Sequence, residues 1–251
     1  MLFRSGVLAA VLLGPSAAVI AMTSVLAMQC FVFGDGGLLA LGANVLNMAV
    51  VHPIVGFAVY RLLVGAGSPG KAPGNARRVA AVAFASWVAT VAAAATCAGE
   101  LAFSGVVAPD VVLPAMVAIH LAIGLGEAVI AGLVLATILK LRPGLVDRPR
   151  LTGTSGRSAS LVAMGLAASL ALAVFVSPFA CQWPDGLARV AERVGLEPGR
   201  VRLSPAPLHD YALPGISGHF TTTALAAGLG TVLAFGLSCA LGSWLASPSR
   251  S

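Results

Sequence analysis

The chain has 251 residues, of which 58% are hydrophobic and only 10% charged, and its mean hydropathy is +0.95. Soluble domains carry about 25% charged residues, so an ordinary soluble enzyme is excluded and an all-α, polytopic membrane bundle is indicated. The formal net charge of +6 does not point to nucleic acid, because nine of the fifteen basic residues gather in two loops between apolar runs.

A membrane-spanning helix needs about 20 mostly apolar residues. Residues 2–13 fall short of that and stop at Gly14-Pro15. They read as a truncated helix or as the first half of a kinked one. Arg4 alone stands for an n-region and no small-residue cleavage site follows, which does not fit a cleavable signal peptide. Spans are expected over 15–33, 38–64, 79–103, 111–140, 160–180 and 219–247. Six or seven membrane helices result. Arg61, Lys71, Arg77 and Arg78 cluster at one loop, and Lys140, Arg142, Arg148, Arg150 and Arg157 at another. Cytoplasmic loops carry such an excess. The rule puts 65–78 and 141–159 in the cytoplasm and 34–37, 104–110 and 181–218 outside, with Arg250 and the C-terminus cytoplasmic. The expected location is the cell's inner or plasma membrane, crossed several times.

Two units emerge from this order. Residues 1–140 form a dense set of helices with short connections. Residues 141–159, basic and rich in Pro, Gly and Ser, read as a cytoplasmic linker. Residues 160–251 read as a two-helix hairpin carrying an external loop, 181–218, of the kind that attaches to a larger unit. The four cysteines, Cys30, Cys97, Cys181 and Cys239, are widely spaced and form no CxxC pair, which argues against a zinc or redox motif.

Polar groups inside apolar runs are costly and mark functional candidates. His52 stands directly before Pro53 in the second clear span. Proline lacks the N–H that would bond Ala49, so a kink is expected there. An imidazole is a good ligand for nickel, cobalt, copper and zinc, and His52 reads either as a metal ligand or as a buried histidine bonded to a carbonyl. Asn44 and Asn47, three apart, share a helix face. They bond another helix, line the site or orient its ligand from behind. His120, Gly124 and Glu127 lie four and seven apart on one face of a later span. That face reads as an ion or proton pathway, a docking element for a partner, or a His–Glu pair satisfied locally. Gln29 reads as structural. No GxSxG, HExxH or GxxxxGK[ST] sequence is present. The chain does not read as an enzyme, and any ATPase serving it is another chain.

From Leu-Leu-Gly14-Pro15 through Gly34-Asp35-Gly36-Gly37, Leu-Gly42-Ala-Asn44-Val-Leu-Asn47-Met48 and His52-Pro53, the chain resembles the CbiM/NikM family. These are the substrate-specific membrane components of cobalt and nickel energy-coupling factor (ABC-type) transporters. The stretch His120 to Glu127 and the Arg142-Pro143 ending resemble it too. The C-terminal unit resembles the PDGLE domain, a relative of the small N component. The motif stands here as Pro184-Asp185-Gly186-Leu187, with Ala188 in place of the last Glu, and His209-Asp210-Tyr211-Ala-Leu-Pro-Gly215 continues the likeness.

The resemblance implies uptake of Co(2+) or Ni(2+) as substrate, with no resident cofactor. It also implies two kinds of partner, a transmembrane coupling (T) protein and cytoplasmic ATPase subunits. It implies an all-nitrogen ligand set, of which His52 supplies one member and a Met-His start supplies the free amine, an amide and an imidazole. Such a set suits Ni(II), and cobalt can share it. The N-like hairpin is implied to help load the metal. Family members begin Met-His-Ile-Pro, with roughly two more helices ahead of the Gly14-Pro15 stretch. This chain begins Met1-Leu2-Phe3-Arg4, so three of the four nitrogens have no counterpart: the start lies further upstream, the gene is degraded, or this member binds differently, and the first is the expectation. The competing expectations are a non-transporting membrane scaffold that assembles with transporter subunits and an intramembrane enzyme resting on His120 and Glu127.

Overall fold

The computed structural model describes residues 6–65, 73–147, 155–179, 186–193, 195, 206–216 and 218–246. Met1–Arg4, Lys71, Arg148, Arg150, Cys181, Pro184, Asp185 and Arg250, all named above, lie outside the described residues. The described residues contain helices and no strand, and six helices among them are long and apolar enough to cross a membrane.

Helix α1, Gly6–Leu13, is only eight residues long, about 12 Å at 1.5 Å per residue, and is not one of the six. Gly14 ends it with φ 91°, a backbone state that L side chains avoid. Pro15 then opens α2, Pro15–Phe33; its missing N–H is harmless at the first helical position. The next span runs as one piece from Leu41 to Gly65. It begins as α3, Leu41–Asn44, widens into a π-helix over Val45–Val51, and continues as α4, His52–Gly65. The kink expected from Pro53 takes this form: a widened turn just ahead of the proline.

Helices α5, Asn75–Phe103, and α6, Pro109–Leu141, form a long antiparallel hairpin. At about 44 and 50 Å they exceed the ~30 Å hydrocarbon core. Small residues let them approach closely. A β-carbon on Gly124 would lie 2.9 Å from Trp87 Cδ1, and the Trp87 indole N–H donates to the Leu121 carbonyl at 3.0 Å. A short helix, α7, Gly144–Asp147, follows.

The C-terminal unit contributes α8, Ser155–Phe175, a 3-10 turn over Ser177–Phe179, the short α9, Gly186–Arg193, a 3-10 turn over His209–Tyr211, and α10, His219–Ala246. Helix α10 packs on both α8 and α2. Gly230 admits the Phe33 ring, since a β-carbon there would lie 2.7 Å from its Cζ. Apolar packing is spread over several clusters rather than one core. Val7, Leu8, Tyr60, Val82, Leu135 and Leu139 fill the end where α1 meets α4, α5 and α6. Ala94, Ala98, Val112, Met116 and Val190 fill the other end of the α5–α6 hairpin.

Candidate functional site

His52 is the first residue of α4 and is only 7% exposed. Its backbone N–H donates to the carbonyl of Asn47, five residues back. In an α-helix five residues sweep about 500°, which puts side chains some 140° apart. In the π turn, residues i and i+5 are bonded one above the other. The widened turn therefore aligns Asn47 with His52. The first turn of α1 closes this place from one side. A β-carbon on Gly6 would lie 2.9 Å from His52 Nδ1, so only glycine lets the chain pass so near the imidazole.

Asn47 is 6% exposed. Its side-chain amide donates to Glu100 Oε2 at 2.8 Å, while its Oδ1 is buried and has no hydrogen-bond partner among the described residues. Asn44 goes elsewhere. A β-carbon on Gly36, whose φ is 82°, would lie 2.6 Å from Asn44 Nδ2. Asn44 thus supports the Gly34–Gly37 loop, and the expected common role of the two amides divides between loop and helix.

That loop is gripped from above by the C-terminal unit. The Leu208 N–H donates to the Val32 carbonyl at 2.9 Å, and the Tyr211 ring stacks on Phe33 with centroids 4.4 Å apart. The Tyr211 hydroxyl donates to Asp35 Oδ2 at 3.1 Å. Asp210 and Tyr211 hold φ of 54° and 59°, a strained state for non-glycine residues that persists only where surroundings enforce it.

The His120 face also divides. Gly124 serves the α5 contact described above. The His120 Nδ1–H donates to the Met116 carbonyl at 2.8 Å, and the other ring nitrogen is Nε2. Over that nitrogen sits the start of α9: a β-carbon on Gly186 would lie 2.6 Å from His120 Cε1 and 2.9 Å from Nε2. The Gly of the PDGLE-like motif therefore seats on His120, and Val190 anchors the same helix among Ala94, Ala98, Val112 and Met116. Glu127 lies two turns further along α6. Gly186→Leu should lift α9 from this seat, at the 1–3 kcal/mol typical of overpacking. Amide-exchange protection over 186–193 should fall, and His120→Gly in the same chain should restore part of it. Unchanged protection in Gly186→Leu would refute the contact.

Among the described residues, no three His, Cys, Asp or Glu side chains converge as a metal site; His52 offers one imidazole. Glu100 was not singled out from the sequence, although a carboxylate in the run Ala-Ala-Thr-Cys-Ala-Gly-Glu100-Leu-Ala was itself a signal. Helix α9 was likewise read only as part of a loop.

The model of the cobalt uptake substrate-specific transmembrane region, CbiM, matches residues 4–145. The chain belongs to the CbiM family. A PDGLE domain model matches residues 159–247. A relative in Archaeoglobus fulgidus carrying the fused nickel transport name NikMN is 34% identical over 95% of this chain and 76% of its own length. The fused nickel transport protein NikMN of Rhodobacter capsulatus is 41% identical over 55% of this chain and 43% of its own length. A crystal structure of a transition metal transporter superimposes with a TM-score of 0.50 at 35% identity, covering 59% of this chain and 69% of that one. The family and these relatives are transporters, not enzymes. This CbiM-family chain is accordingly a multi-pass membrane protein.

Proposed function

We propose that this CbiM-family chain captures Co(2+) or Ni(2+) for uptake, as the substrate-binding membrane component of an energy-coupling factor transporter. The observation that carries the reading is His52: a buried imidazole inside a membrane span, set on a π turn, in a chain of a cobalt-uptake family. We assign His52 as a ligand of the transported metal, Asn47 as its support, and Asn44 as the support of the external loop above it. His120 serves by seating α9, and Glu127 belongs to the same helix as a further polar support. A transmembrane coupling protein and cytoplasmic ATPase subunits supply the energy, since the chain carries no P-loop sequence. The C-terminus lies in the cytoplasm by the distribution of Lys and Arg.

Metal accumulation in cells tests this. With coupling and ATPase subunits present, the chain should raise cell-associated nickel or cobalt, measured by elemental analysis, and an ATPase subunit disabled in its P-loop should remove the gain. Accumulation no higher than in cells lacking the chain would defeat the reading. Accumulation indifferent to the ATPase would defeat its energy-coupled form.

A further inference from the structure

Glu100 sits near the end of α5, opposite the π-helical segment of the second span, and its Oε2 accepts the Asn47 side-chain N–H at 2.8 Å. The backbone carbonyl of the same Asn47 accepts the His52 N–H. One residue thus holds a carboxyl on one helix through its side chain and the histidine on another through its backbone. Pro53 makes this consequential. It has no N–H to lock the turn, so the segment ahead of it can be wound as an α-turn or as a π-turn. The two place Asn47 at different azimuths relative to His52. The bond to Glu100 is a tertiary contact that fixes Asn47 at one azimuth. It also turns Asn47 Oδ1 away from Glu100, as a buried acceptor with no hydrogen-bond partner among the described residues. Buried acceptors of this kind call for an explanation. Here the amide is held for what its nitrogen and backbone do.

We propose that Glu100 is a positioning residue for His52: through Asn47 it holds the π-helical register that sets the direction of the imidazole. The inference deepens the metal-capture reading and rests on it only for its effect on metal.

The test has one arm that needs no metal. The chain has four histidines, so selectively labelled imidazole nitrogens of the whole protein in lipid nanodiscs give few signals, and His52→Ala assigns the one of interest. Glu100→Ala should shift the His52 ring signals and leave those of His120, His209 and His219 in place. Glu100→Gln, whose amide oxygen still accepts from Asn47, should keep the original spectrum. Asn47→Ala should reproduce the Glu100→Ala shift, and the double variant should add nothing to it, as expected of residues acting in series. Unmoved His52 signals in Glu100→Ala would overturn the proposal, and so would equal shifts in Glu100→Gln. Should Glu100→Ala fail to fold, Asn47→Ala decides by the same criterion.

The second arm measures Ni(2+) and Co(2+) binding by calorimetry. Outer partners of a ligand typically contribute 10–100-fold in affinity, and a loss of about that size is expected for Glu100→Ala but not for Glu100→Gln. If His52→Ala leaves binding unchanged, the metal-capture reading falls while the ring spectra still judge the register. If His52→Ala abolishes binding and Glu100→Ala leaves both binding and spectra intact, only the positioning role falls.

Discussion

Cells whose only copy of this protein carries His52→Ala should accumulate no more nickel or cobalt than cells without it. The imidazole is buried at 7% exposure and is the one nitrogen ligand that the family likeness places within this sequence. Loss of an outer partner costs 10–100-fold in metal affinity, so loss of a ligand itself should exceed that. The substitution should spare the fold. It removes a side chain at a turn whose hydrogen bond to Asn47 is made by the backbone, and alanine retains that N–H. Elemental analysis of washed cells, with membrane levels of the protein matched by immunoblot, gives the result. Accumulation equal to that of the unaltered chain would remove His52 from the transport path.

The largest loss of stability is expected from Gly56→Leu. Gly56 lies one turn beyond His52 on α4, and any β-carbon there would overlap the Val7 side chain of α1. Val7 is itself fully buried, in a cluster with Leu8, Tyr60, Val82 and Leu135, so it has little room to yield. Overpacking a well-filled core typically costs 1–3 kcal/mol, and a leucine at a backbone-to-side-chain contact belongs at or above the top of that range. Helix α1 should leave α4 and uncover His52, because Gly6 rests on its Nδ1. A clear drop in the thermal midpoint of the detergent-solubilised protein is expected, together with faster exchange of the 6–13 amides. A midpoint equal to the parent's would show that α1 does not depend on this contact.

The membrane spans were legible because each is one long apolar run, a signal that survives without tertiary context. Pro53 announced a disturbance, because a missing N–H is a local fact. Its outcome as a π-turn was not legible, since it depends on where Asn47 finds Glu100, fifty-three residues away. Asn44 and Asn47 are visible in the sequence as amides inside an apolar run, and such groups need partners. Spacing alone could not tell that one would meet a loop glycine and the other a carboxyl. Helix α9 is strongly amphipathic, but its eight residues are shorter than the stretch over which a helical period is read from sequence. Gly186 and Val190 identify its buried side, while Leu187 stays exposed, and that side is defined only once the α5–α6 surface exists to receive Val190. His120 and Gly124 share one face of α6, and that face is broad enough to touch α9 at one residue and α5 at the next.

The twofold attachment of the C-terminal unit, by α9 on His120 and by Tyr211 on Phe33, has a consequence for how firmly it must hold. Both contacts join parts of one covalent chain, so their partners meet at an effective concentration on the millimolar scale for a short connection. Two separate proteins at micromolar levels would need a dissociation constant below micromolar to stay paired. Here a contact a thousandfold weaker keeps the seat occupied most of the time. Such a seat can open and re-form many times without the C-terminal unit ever being lost.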